Sequence, residues 1–282
     1  METTIKNSIL TATILHKGAE LSSLIKDGKN VIWTIDRTFW DKTSPILFPI
    51  VGGLKEGKYN YLGKSYSLSR HGFARDHDFE VISKTFHSVI FSLKYSEETL
   101  KIYPFKFELQ IMYELTDNEL KINYKLINLQ EDEMYFSIGA HPAFTIDGNF
   151  EDYELEFDNN LPLISHQLKN ELFSGKTVEI SLKDKVLPLK YELFEDDALV
   201  LKNSTTSNLT LLKNRVPQIS VHFKDFPYLG IWTKKNAPFL CIEPWLGIAD
   251  SKNSTGNLKE KEGIQKLNGN AELEKSFSIE VF

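Results

Sequence analysis

The sequence is sparing with four things, and each shortage excludes something. It holds a single cysteine, Cys241, among 282 residues, so no internal disulfide forms and no multi-cysteine metal site is available. Its longest apolar run, Pro45 to Val51, falls far short of the ~20 residues a membrane helix needs. Basic charge is in deficit: 33 lysines and arginines stand against 39 acids, for a net charge of −6. General nucleic-acid binding calls for a basic excess or stripe and is disfavoured. Glycine, at 15 residues, is scarce and nowhere gathers with proline into a linker. The opening segment Met1–Asn7 also lacks the basic-then-apolar layout of a secretory signal. These shortages predict a soluble, cytoplasmic protein with neither a membrane nor a nucleic acid as partner.

What the chain has in plenty is aromatic side chains, 19 Phe and 11 Tyr, a skew that favours strands. Alternation agrees. Phe105, Phe107, Leu109, Ile111, Tyr113 and Leu115 take the odd positions. After Asp117-Asn118 the even positions Leu120, Ile122, Tyr124 and Leu126 take over. Alternate side chains of a strand point to opposite faces, so this reads as a half-buried hairpin. Asp27-Gly28 predicts a second hairpin, between Leu21–Ile25 and Val31–Ile35. Gly63-Lys64 predicts a third, between Tyr59–Leu62 and Ser65–Leu68. Further short strands are expected at Phe79–Ile82, Ser88–Tyr95, Val178–Leu182, Leu199–Lys202, Leu209–Leu212, Ile219–Phe223 and Phe277–Val281. Helical signals are confined to part of Leu168–Phe173 and a turn or two in Leu258–Leu267. With no boundary and no repeat, residues 1–282 read as a single domain, all-β, a large antiparallel β-sandwich.

Several apparent motifs carry no chemistry. Gly52–Lys58 matches most of a phosphate-binding loop, but Tyr59 stands where the magnesium-binding hydroxyl belongs and a hairpin follows instead of a helix. It reads as a turn. The sequons at Asn203, Asn208 and Asn253 matter only in a secreted chain.

Three segments instead set rare polar side chains among glycine, proline and aromatics: Arg70–Asp76, Ser137–Phe144 and Phe239–Gly247. In the last, Cys241, Glu243 and Trp245 share a face if the chain is extended, and Pro244 biases Glu243 toward extension. An unpaired carboxylate among apolar neighbours has its pKa pushed up, which makes a glutamate a useful general base. Trp245 offers a flat apolar shelf beside it. His141 supplies a candidate acid, and His71 with Arg75 a polar pair. Such a kit suits moving a proton between two oxygens of a polyhydroxylated ring.

His71-Gly72-Phe73-Ala74-Arg75, Gly139-Ala140-His141-Pro142-Ala143-Phe144 and Glu243-Pro244-Trp245 together resemble the aldose 1-epimerase, or galactose mutarotase-like, family, and within it the LacX-type branch. The resemblance implies the family's β-supersandwich, an open sugar cleft and an isomerase needing no cofactor and no metal. It implies Glu243 as the base at the anomeric hydroxyl and His141 as the acid at the ring oxygen. His71, Arg75, Asp196 and Trp245 follow as substrate-binding residues, with Asp196 chosen over Asp197 by its offset from Leu199-Val200-Leu201. The asparagine–arginine pair usual upstream of the first histidine is absent near Gly52-Gly53, which leaves Arg75 or Arg70 to replace it. Phe73, Phe144 and Trp40 are expected beside the catalytic groups, lining the cleft. The expected substrate is a free aldohexose such as galactose or glucose, handled by a monomer or homodimer. A hexose-6-phosphate 1-epimerase and a non-catalytic carbohydrate-binding protein are the alternatives.

Overall fold

The computed structural model describes residues 1–282, and nearly all its regular structure is strand. One antiparallel sheet has nine strands. It runs from Val186–Pro188 through Tyr153–Phe157, Asn208–Lys213, Val216–His222 and Glu272–Val281 to Glu119–Asn128, Phe107–Thr116, Ser88–Lys94 and Glu80–Lys84. A second, of eight strands, runs through Leu172–Ile180, Leu163–Lys169, Leu199–Lys202, Tyr228–Trp232, Phe239–Leu246, Ile138–Ala140 and Ile46–Leu47, with Ala143–Thr145 also paired to Phe239–Leu246. A four-stranded sheet, Glu2–Lys6, Leu10–Leu15, Leu21–Lys26 and Lys29–Asn30, adds to these. This is a large antiparallel all-β architecture, as expected. No helix is long and apolar enough to cross a membrane.

The main hairpin forms as the alternation requires, with Phe107–Thr116 paired to Glu119–Asn128 and the odd, then even, apolar residues buried. The Lys58–Tyr61 and Lys64–Ser67 hairpin also forms, and Gly52–Lys58 is indeed a turn leading into it. Two local expectations fail and a third is met in part. The strand expected at Val31–Ile35 is only Lys29–Asn30, because Ile32 leaves to bridge Phe144. Leu168–Phe173 is a tight hairpin, with Asn170 and Glu171 both at positive φ, since the flanking strands claim its apolar residues. Leu258–Leu267 gives one 3-10 turn, Leu258–Glu260, and then a strand, Gln265–Leu267. The one α-helix, Glu97–Ile102, starts at a Ser96/Thr99 capping box whose shortness hid it from periodicity.

Period-two patterning of the eight-stranded sheet decides where a site can be. Along Phe239–Leu246, Leu240, Ile242 and Leu246 join the main core, while Cys241, Glu243 and Trp245 face the other way. Likewise Leu229 and Ile231 go to the core, leaving Tyr228, Gly230 and Trp232 on the outer face. The outer face of this sheet is the floor of a cleft.

Candidate active site

Both His141 and Glu243 lie next to proline, and both prolines sit where a ladder is interrupted. The central strand Phe239–Leu246 pairs first with Ala143–Thr145, then with Ile138–Ala140, and between them the partner chain turns a corner at His141-Pro142. Pro244 falls within this gap on the central strand, where a missing N–H costs least. Register runs unbroken across the gap: Gly139 faces Trp245 and Ala143 faces Cys241, so His141 lies opposite Glu243. Cross-strand neighbours of that kind reach one another. His141 Nε2 and Glu243 Oε2 are 3.1 Å apart, both side chains nearly wholly buried.

Burial governs their protonation. It pushes the Glu243 carboxyl well above the ordinary glutamate value, with the Arg70 charge opposing and the Asp197 charge adding to the rise. Burial, helped by Arg70, pulls His141 down to about 3. Both shifts favour the neutral carboxylic acid and the neutral imidazole, a pair with one titratable proton. The contact is off the hydrogen-bond line: Glu243 Oε2, His141 Nδ1 and Trp245 Nε1 are buried with no well-aligned partner, although the Trp245 indole lies close enough to Glu243 to draw its carboxyl down a little. Unsatisfied buried polar atoms are costly, and a cluster of them calls for something to complete it.

His71 enters from a loop with its own backbone at positive φ (67°), a strained conformation for a residue with a side chain. Its loop is clamped to Gly52: His71 N–H donates to Gly52 O (3.0 Å), and Gly52 N–H donates to His71 Nδ1 (3.1 Å). Burial and the Arg70 charge hold His71 well below the usual histidine range. Arg70 Nε–H faces the other ring nitrogen, His71 Nε2, at 3.1 Å. A neutral ring has one acceptor nitrogen, so it serves either Gly52 or Arg70, and the contact left over is open to an oxygen acceptor.

Arg70 lies next to His71, and its charge acts on both His71 and the His141–Glu243 pair. Arg75 also borders the cleft, but its Nη2 donates to the Arg70 carbonyl (2.8 Å), so it braces the loop. Asp196 and Asp197 both lie along the cleft. Asp196 is exposed and accepts from Gln167 (3.2 Å), while Asp197 is half-buried and is the one whose charge reaches Glu243.

The cleft measures about 870 Å³. Trp245 lies flat on its floor because two neighbouring strands offer it glycine: a Cβ on Gly139 or Gly230 would come within 2.6 and 2.5 Å of the indole. Trp40 lines the cleft as expected and stacks on His141 with centroids 4.8 Å apart. Phe73 and Phe144 do not. Both belong to the main core, Phe73 packing on Phe48 and Phe107 and Phe144 fully buried. Sequence reasoning missed Phe39, Phe173, Phe194 and Trp232 on the walls. Of these, Trp232 was open to discovery, since it alternates with Tyr228 and Gly230 on the outward face of a strand.

Comparison with known proteins places the whole chain among relatives. The family described as aldose 1-epimerase matches residues 1–259. The chromosomal protein LacX of Lactococcus lactis subsp. lactis is 32% identical over 98% of each chain. A galactose mutarotase related enzyme from Lactobacillus acidophilus is 34% identical, with a TM-score of 0.94 over 100% of this chain and 97% of that one. A galactose mutarotase-like protein from Lactobacillus casei is also 34% identical, with a TM-score of 0.95 over the whole of both chains.

Proposed function

The chain belongs to the aldose 1-epimerase family, and from that membership we propose that it interconverts the α and β anomers of a free aldohexose such as glucose or galactose. The observation that carries this reading is the 3.1 Å approach of His141 and Glu243 at the foot of an aromatic cleft. The hydroxyl oxygen O1 and the ring oxygen O5 hang on the same carbon, so the base and acid that serve them must themselves be neighbours. Glu243 as carboxylate takes the proton of O1–H, the C1–O5 bond breaks, and His141 as imidazolium gives its proton to O5. The C1–C2 bond of the open aldehyde turns, and closure on the other face runs both transfers backwards. The pair carries one proton throughout. Its neutral form and its charged working form hold the same number of protons, so opening needs no net proton from solvent.

On this reading His71 and Arg70 hold a sugar oxygen as it gains negative charge, and Trp245 and Trp40 cover apolar faces of the ring. Arg75 contributes by bracing the Arg70–His71 loop. Of the neighbouring acids, Asp197 fits a sugar hydroxyl better than Asp196, which is turned to Gln167. The test is Glu243→Gln with polarimetry of α-glucose and α-galactose. Replacing the base should lower kcat by about 10²–10⁴-fold while sparing the fold. Wild-type rates no faster than buffer would leave a carbohydrate-binding role and remove the catalytic one.

A further inference from the structure

We propose that His141, Cys241 and Glu243 form a binding site for a borderline-soft divalent cation such as Zn²⁺ or Co²⁺, and that cation and sugar exclude one another there. Cys241 has no part in the proton transfers, yet it stands beside them. It is two residues from Glu243 on the same strand face and diagonal to His141 across the ladder. The ligating atoms of the three residues all lie within 4.8 Å of one another, and all three residues are buried. Two polar atoms of the cluster, Glu243 Oε2 and His141 Nδ1, have no hydrogen-bond partner.

The chemistry of the set is selective. Thiolate, imidazole and carboxylate suit zinc-like ions, whereas magnesium and calcium want oxygen alone. Tetrahedral bonds of about 2.0–2.3 Å place ligand atoms roughly 3.3–3.8 Å apart, so a modest side-chain contraction closes the set. Three protein ligands leave a fourth position open toward the cleft. Charge also balances. Binding breaks the Cys241 S–H bond, displaces the single proton shared by Glu243 and His141, and sends two protons to solvent. One divalent cation with one thiolate and one carboxylate is neutral, the state a buried site tolerates best. Ligation requires the thiolate, so affinity rises with pH. Binding stands apart from the proposed function; the exclusion of sugar rests on it, because the cation would occupy the proposed acid and base.

The experiment is an anaerobic Co²⁺ titration of the full chain followed by absorption. We expect one ion per chain, a thiolate-to-cobalt charge-transfer band and two protons released per ion. Cys241→Ser should lose the band and weaken Co²⁺ binding by about 100-fold or more, while its metal-free mutarotation stays at the wild-type rate. Co²⁺ binding without a thiolate band, or equal affinity in Cys241→Ser, would overturn the site. Should that variant fail to fold, the wild-type spectrum decides by itself. Mutarotation of chelator-treated wild type is read separately: a thiolate band without mutarotation keeps the site and discards the activity, and mutarotation without a band does the reverse.

Discussion

At His141 and Glu243, burial moves two titrations away from each other, and the sign of each shift matters. Lowering His141 to about 3 delays the arrival of a second proton on the pair as pH falls. Raising Glu243 delays the loss of the only proton as pH rises. Both shifts widen the range in which the pair holds one proton, which is the state that turns over. With α-glucose, kcat is therefore expected to change by less than about twofold between about pH 7 and pH 5, a span in which an unshifted imidazole, near 6.5, would titrate. Polarimetry with buffer rates subtracted measures it. A limb in kcat with an apparent pKa near 6.5 would mean that the two groups titrate separately, and the shared proton would have to be given up.

At the scale of the strand, what positions the site is the absence of side chains at Gly139 and Gly230. Gly230→Ala puts a methyl group where the Trp245 indole now lies, at 2.5 Å, on a backbone fixed by pairing on both sides. The indole must tilt into the cleft. Overpacking of this kind costs about 1–3 kcal/mol; KM is expected to rise severalfold, about 1.4 kcal/mol being tenfold, with kcat less affected and tryptophan emission shifted. An emission change without a KM change would show that Trp245 does not touch the sugar. Strand parity was legible from sequence, and it placed Cys241, Glu243 and Trp245 together. Parity also argues against Phe144, three residues from His141 and so on the opposite face of an extended chain. Register was not legible: nothing local says that residue 141 lies opposite residue 243, because pairing between distant segments is set by the whole sheet. The Gly52 clamp on His71 is equally non-local, and the hairpin at Asn170-Glu171 rests on turn conformations that apolar spacing does not encode.

For the whole molecule, the deficit of basic charge bears on which sugar enters. The chain carries a net −6 and only four arginines, Arg37, Arg70, Arg75 and Arg215. Two of them reach the cleft, and both are engaged: Arg70 with His71 and Glu171, Arg75 with the Arg70 carbonyl and Asp76. Lys234 donates to the Phe39 carbonyl, which leaves the exposed Lys235 as a single uncommitted cation on the wall. Along the same walls stand Glu171, Glu192, Glu195, Asp196 and Asp197. A phosphate dianion binds where several free cations or a helix N-terminus converge, and here it would meet one free lysine and two committed arginines among five acids. The expected outcome is a kcat/KM for α-glucose at least about tenfold above that for α-glucose-6-phosphate at low salt, equivalent to about 1.4 kcal/mol. Repulsion between exposed charges is screened as the Debye length falls from about 30 Å at 0.01 M to about 10 Å at 0.1 M, so the gap should narrow with added salt while the rate for the neutral sugar stays level. A phosphorylated sugar that is preferred, and loses its advantage as salt rises, would instead reveal attraction: Arg70 would have exchanged Glu171 for the phosphate, and the hexose-6-phosphate reading would replace the neutral one.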